Sequence, residues 1–255
     1  MSIDTSFQGA KWQSTNLNFD DDEVFNLAQK NNISIQLSKL LVNRNIKSIS
    51  KFINSKLKEN LSITQIAKLS SLDKSISFFE KVKSEKKISI FSDYDVDGAC
   101  AAAICKKFLS QFDIEVNVYI PNRLNEGYGL NLEAIDKILT FSQNILVLDC
   151  GSNNLQEQEY IINQGGQVMI IDHHECELFF DQAIVVNPKT PNDQSELDDL
   201  CATALTFLVL VYLKNENIFP NIDVLQYLDL VALATICDLV PLSAVSYTHL
   251  RAHET

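Results

Sequence analysis

Between residues 87 and 188 the chain alternates short apolar runs with longer amphipathic ones, and this alternation limits the fold more than any other feature. "KISIFSD" (87–93), "IEVNVYI" (114–120), "NILVLDCG" (144–151), "QVMIIDHH" (167–174) and "QAIVVNP" (182–188) read as strands. "GACAAAICKKFLSQF" (98–112), "NLEAIDKILTF" (131–141) and "NLQEQEYIINQ" (154–164) read as the helices between them. Near-continuous apolar strands separated by helices predict an α/β fold, a parallel sheet with helices on both faces.

Flanking segments are helical in pattern. A helix is expected over 71–85, and two more near 198–214 and 222–236. Before residue 70 the pattern weakens. "DDDE" (20–23) suits a helix start, because acids favour the positive amino end. Short amphipathic helices through residue 58 would follow, with Leu37, Leu40 and Leu41 as one apolar stripe. The expected organisation is a helical N-terminal segment (1–70), an α/β domain (71–242) and a tail (243–255). With 255 residues, 46% hydrophobic and 21% charged, the chain has enough material for one large domain or one with a small companion.

The compartment is expected to be cytoplasmic. The first twenty residues are polar, with Asp4, Lys11 and Asp20, and do not resemble a secretory signal. The longest apolar run, Leu200 to Leu213, is too short to span a bilayer and reads as a buried helix. Cys100, Cys105, Cys150, Cys176, Cys201 and Cys237 show no CxxC spacing and read as reduced core thiols.

The net charge of −12 argues at first against a nucleic-acid partner. The charge is uneven, however. No acid lies between Val24 and Lys58, where Lys30, Lys39, Arg44, Lys47, Lys51, Lys56 and Lys58 occur. That stretch is either a solvated helical face or a surface that tracks phosphates.

Several expected strands end in acids. The first runs into Asp93, Asp95 and Asp97; the third ends at Asp149; the fourth ends at Asp172, followed by His173 and His174. Parallel strands put their carboxyl ends at one edge, where α/β sheets bind ligands. Asp238 follows an expected helix in "ATICDLVPL", and Pro241 stops continuation. Carboxylates with one or two imidazoles suit Mn²⁺ or Mg²⁺ better than zinc. Two such cations would neutralise the mutual repulsion of the aspartates and serve in-line phosphoryl displacement. "DYDVDG" also matches the start of a calcium loop, but its twelfth position is Ile104 rather than Glu, and "ACAAAI" supplies no side-chain oxygens.

"SDYDVDG", "LVLDCGS", "IIDHH" and "ATICDLVPL", in that order, resemble the four motifs of the DHH phosphoesterase superfamily. "YIPNRLNEGYGLN" (119–131), "VVNPK" (185–189) and the leading "KW" (11–12) are similar to its single-stranded-DNA exonuclease branch. The resemblance spans roughly residues 11–242.

It implies a 5′→3′ exonuclease for single-stranded DNA in repair and recombination, using two divalent cations, Mn²⁺ or Mg²⁺. Asp95 and Asp149 would hold one cation with Asp93 assisting. Asp97, Asp149, His173 and Asp238 would hold the other, with Asp149 shared. His174 would face the scissile phosphate and Asp172 would orient the histidines. Arg123 would grip a phosphate or form a surface ion pair. Tyr128 would stack on a base or pack as an ordinary aromatic. Gly127 and Gly129 would let the loop approach substrate or simply turn. Gly98 would open a helix whose small residues lie close to the sheet and whose amino end faces the substrate. Single-strand-binding protein and a helicase are the protein partners it suggests for an intact enzyme.

The last residues depart from the pattern. "SAVSYTHLRAHET" (243–255) resembles translated adapter sequence, and His249 and His253 have no third ligand beside them. The family continues into a second domain that closes the cleft and then an oligonucleotide-binding barrel, so the chain reads as truncated. Two alternatives stand beside the nuclease: a phosphodiesterase for oligoribonucleotides, cyclic dinucleotides or pyrophosphate, and an inert metal-binding fragment.

Overall fold

The structure is a computed structural model that describes residues 9, 20–44, 46, 49, 52, 62–178 and 180–242. The tail with His249 and His253, the "KW" pair, and Lys47, Lys51, Lys56 and Lys58 lie outside the described residues. The chain divides into two units, residues 1–54 and 55–255.

In the first unit, α1 (Asp21–Asn31) starts where Asp20 accepts the Asp22 N–H at 3.0 Å and ends at Asn32 in the left-handed region, φ 52°. Helix α2 (Ile35–Asn43) is capped by Ser34, whose hydroxyl accepts the Leu37 N–H at 3.2 Å. The Ser38 hydroxyl donates to the Val24 carbonyl at 2.8 Å, joining the pair. The expected leucine stripe is narrower than its spacing suggested. Leu41 is buried beside Ser38, whereas Leu37 and Leu40 are exposed. Lys30 and Arg44 are also exposed.

Among its described residues the second unit carries five parallel strands: β1 (Lys87–Ser92), β2 (Glu115–Tyr119), β3 (Asn144–Leu148), β4 (Gln167–Ile171) and β5 (Ile184–Val186). Their order across the sheet is β2-β1-β3-β4-β5. Successive side chains take opposite faces. Ile88, Ile90, Leu146, Leu148, Met169 and Ile171 enter one core with α4 (Lys74–Glu85), α5 (Val96–Ser110), α8 (Ala202–Asn215) and α9 (Leu228–Cys237). Phe91, Ile145, Val147, Val168 and Ile170 enter the other, with α6 (Leu132–Leu139) and α7 (Leu155–Asn163). A short helix, α3 (Ile63–Ile66), precedes α4, and Ile66, Leu69 and Leu72 are buried in the first core. Residues 62–70, placed with the N-terminal helical segment from sequence, thus contribute Ile66 and Leu69 to this core.

Four boundaries differ in ways that matter for the site. Helix α5 begins at Val96 rather than Gly98, because the Asp95 carboxylate caps it by accepting the Gly98 N–H at 3.0 Å. Strands β3 and β4 stop at Leu148 and Ile171, leaving Asp149 and the Asp172–His174 run in turns. Helix α8 begins at Ala202, four residues later than expected, and ten of its fourteen residues are buried. Among the described residues no helix is long and apolar enough to cross a membrane. All six cysteines are free; five are buried as expected and Cys237 is exposed.

Candidate metal centre

The hydrogen-bond ladder runs one residue past the strands and sets three aspartates side by side. The Asp93 N–H donates to the Leu148 carbonyl (3.2 Å), that of Asp149 to Ile171 (2.9 Å) and that of Asp172 to Val186 (3.2 Å). The sheet itself thus lines up the acids at one edge.

After β1 the chain turns sharply into α5. A Cβ at Gly98 would lie 2.5 Å from the Asp93 carbonyl oxygen, so only glycine fits where the helix abuts the strand end. The turn keeps Asp93 and Asp97 buried and leaves Asp95 exposed. Ile104 is fully buried within α5, so no calcium loop forms.

Asp149 has φ +61°, a left-handed conformation uncommon for a non-glycine residue. It is 1% exposed, and its Oδ1 has no hydrogen-bond donor. Burial, with Asp97 and Asp95 nearby, pushes its carboxyl up to about 10. His173 projects into the same pocket. Its Nε2 lies 3.4 Å from Asp149 Oδ1, 3.5 Å from Asp238 Oδ2 and 3.9 Å from Asp97 Oδ2. Asp238 enters from the C-terminal end of α9. Burial raises the Asp93 and Asp238 carboxyls as well.

Asp172 has the opposite surroundings. Its Oδ1 accepts the N–H groups of His173 (2.8 Å) and His174 (3.2 Å) and pairs with His174 Nδ1 (2.7 Å); its Oδ2 accepts the Ser152 N–H (3.1 Å). Burial alone would raise this carboxyl, but His174 and the Ser152 donors hold it at about 2. The same contact raises the His174 imidazole. Asp172 thus fixes the His174 ring directly and reaches His173 only through its backbone.

Among the described residues, the potential ligand atoms form three groups within 4.8 Å: Asp93, Asp95 and Asp149; Asp97, His173 and Asp238; and Asp149, His173 and His174. Six buried side-chain polar atoms lack a hydrogen-bond partner among the described residues, and three are Asp93 Oδ1, Asp149 Oδ1 and Asp238 Oδ2. Such a concentration of bare oxygens is costly unless a cation sits among them. The donor set is mainly carboxylate with imidazole, which fits Mn²⁺ or Mg²⁺.

The 120–130 loop forms the rim. Glu126 anchors it by accepting the Asn122 N–H at 2.6 Å and the Tyr119 hydroxyl proton. Gly127 and Gly129 take φ values of 78° and 83°. Arg123 is exposed and lies over the Tyr94 ring, 5.3 Å from its centroid; Tyr94 meets Tyr128 edge-on at 6.4 Å. The Tyr128 hydroxyl is 3.4 Å from His174 Nε2. Arg123, Tyr128 and His174 therefore share one rim, joined by Tyr94, which no sequence signal singled out.

Other supports were also missed. Asn187 donates to the Ser152 hydroxyl (3.0 Å) and the His174 carbonyl (2.9 Å), tying the end of β5 to two motif turns. Its place in "VVNPK" was the only sequence signal for it. Ala202 and Thr203, which contact Asp97, had none.

Comparison with known proteins gives a concordant result. The model of the DHH family, N-terminal domain, matches residues 87–235. The single-stranded-DNA-specific exonuclease RecJ of Thermus thermophilus is 33% identical over 163 residues, covering 64% of this chain and 24% of that protein. The same exonuclease from Bacillus subtilis is 29% identical over 229 residues, covering 88% of this chain and 28% of that protein. A crystal structure of the exonuclease RecJ bound to manganese superposes with a TM-score of 0.64 at 30% identity, covering 72% of this chain and 47% of that one. The chain thus spans about a quarter of the length of these two curated relatives.

Proposed function

The chain belongs to the DHH family, and on that premise we propose that it carries the cation-binding half of a 5′→3′ exonuclease acting on single-stranded DNA. The observation that carries this reading is the trio of buried, donor-free carboxylate oxygens at Asp93, Asp149 and Asp238; those of Asp149 and Asp238 lie 3.4 Å and 3.5 Å from His173 Nε2, and Asp93 groups with Asp95 and Asp149. Asp93, Asp95 and Asp149 would hold one divalent cation, and Asp97, His173 and Asp238 the second, with Asp149 beside both. Mn²⁺ is the favoured ion, because the RecJ structure at 30% identity is bound to manganese; Mg²⁺ is the alternative. When bound, such a pair supplies Lewis-acid stabilisation of charge during in-line displacement at phosphorus.

The chain's own residues supply the rest. Asp172 holds the His174 ring through Nδ1, which leaves Nε2 facing the rim. There it can donate to a phosphate oxygen or to the departing alcohol. Arg123 offers a charged fork to phosphate, and Tyr128, 58% exposed, offers a face on which a base can stack. Gly127 has nothing within 4 Å of its would-be Cβ, which leaves room for a strand to approach. In the intact protein, single-strand-binding protein and a helicase would deliver the substrate, and the free thiols suit a cytoplasmic setting.

With roughly a quarter of its relatives' length, this chain is expected to bind Mn²⁺ with weak turnover of its own. The test is Mn²⁺-dependent nucleotide release from 5′-labelled single strands, compared with dinucleotides and pyrophosphate. Preference for either small substrate would replace the nuclease with a small-molecule phosphodiesterase. Full exonuclease activity from the 255-residue chain would contradict the division of labour proposed for it.

A further inference from the structure

We infer that the first turn of α8, Ala202 and Thr203, is a positioning element for the cation pocket, orienting the Asp97 carboxylate for its ligand role. This inference rests on the metal reading above.

An α-helix begins with N–H groups that lack partners. The residue at the N-cap position of α8, Cys201, makes no side-chain capping bond. Asp97 takes over that task from another helix. The Ala202 N–H donates to Asp97 Oδ2 at 2.6 Å, and the Thr203 N–H donates to Oδ1 at 2.8 Å. The Thr203 hydroxyl adds a third bond, to the Asp97 carbonyl at 2.7 Å. Two parallel donors on two oxygens fix the plane of a carboxylate as a guanidinium fork would. Each oxygen retains a second lone pair, and Oδ2 lies 3.9 Å from His173 Nε2, on the pocket side.

The neighbouring acids are treated differently. Asp149 and Asp93, 1% and 4% exposed, each keep a donor-free oxygen in the same pocket. Asp97, unlike these two, is held by hydrogen bonds to both oxygens, and its grip comes from a helix that is itself buried in the core. Hydrogen bonds to the ligands of a metal orient them and raise affinity.

Ala202→Pro is the stronger test, because its ring carbon takes the place of the N–H that faces Asp97 Oδ2 at 2.6 Å and so displaces the carboxylate. It deletes one donor, yet proline is well tolerated at the first helical position. Cys201 already has φ −74° and ψ 163°, as a residue before proline requires. Mn²⁺ affinity would be read by calorimetry on the full chain, with circular dichroism to verify the fold. Ala202→Pro is expected to bind Mn²⁺ about 10–100-fold more weakly. Thr203→Val, which loses only the hydroxyl bond, is expected to bind several-fold more weakly, and Thr203→Ser to restore affinity. Should Ala202→Pro not fold, the Thr203→Val and Thr203→Ser pair decides. Affinities within twofold of the unaltered chain in every folded variant would overturn the inference. Failure of the metal reading would look different: no Mn²⁺ uptake by the unaltered chain.

Discussion

Two turns at the same sheet edge, one after β3 and one after β4, each carry an aspartate that is 1% exposed. Their chemistry is opposite. Asp172 is surrounded by donors and held at about 2, whereas Asp149 has a bare oxygen, acidic neighbours and a carboxyl pushed up to about 10. Equal burial therefore says little about a carboxylate's state; the count of donors decides it. Asp172 is complete within the protein and acts as a brace. Asp149 is incomplete and is relieved only by a proton or a cation.

The contrast breaks most readily at the brace. Asp172→Ala strips the acceptor from the Ser152, His173 and His174 N–H groups. It should cost about 3–5 kcal/mol of stability, measured by urea unfolding. A loss below about 1 kcal/mol would show that the turn holds itself without Asp172.

Asp149→Asn should act in the other direction on the fold. Mn²⁺ affinity is expected to drop by about 100-fold or more. The metal-free chain at pH 8 should nevertheless gain about 1–3 kcal/mol, because the amide folds without the proton uptake that an acid raised to about 10 requires at that pH. A metal-free Asp149→Asn variant less stable than the parent would contradict the assignment.

The pH dependence separates the two acids further. Asp149, raised from 3.8 to about 10 in the fold, contributes stability that is fully present below pH 3.8 and lost as pH rises toward 10. Asp172, lowered from 3.8 to about 2, contributes stability present above pH 3.8 and lost as pH falls toward 2. Thermal melts with a chelator should show the alkaline decline shrinking in Asp149→Asn and the acid decline shrinking in Asp172→Asn. An alkaline slope identical in both variants would place the effect elsewhere.

The smallest effect is expected at Tyr128. Its hydroxyl is 3.4 Å from His174 Nε2, a long contact beside the 2.7 Å bond from Asp172. Tyr128→Phe should barely move the His174 imidazole titration followed by NMR, whereas Asp172→Asn should lower it clearly. Equal shifts would mean that the rim, and not the brace, governs His174.

How much of this was legible in the residues follows from what each signal encodes. Strand alternation placed Asp93, Asp149 and Asp172 at one edge, because period and parallel packing are local properties of the chain. The order β2-β1-β3-β4-β5 was not legible, since it depends on how distant strands choose neighbours. Its own neighbours place Asp238 only at a helix end; the family resemblance alone set it with His173, which lies 3.5 Å away once α9 packs on α5. Gly98 was expected to open α5, but the Asp95 carboxylate caps that helix two residues earlier. The glycine's role here is a close approach to the Asp93 carbonyl within a helix already begun. The Asp97 contacts with Ala202 and Thr203 left no trace, because backbone N–H groups carry no residue signature.

Those contacts give position 97 two reasons to remain acidic. A lineage that no longer needed the pocket for chemistry would still need an acceptor there to finish a core helix. Replacement at Asp95, whose side chain is exposed, would meet less resistance from folding. An aspartate surviving at position 97 is therefore poor evidence of activity by itself, and in a set of descendants its neighbours would record the decay first.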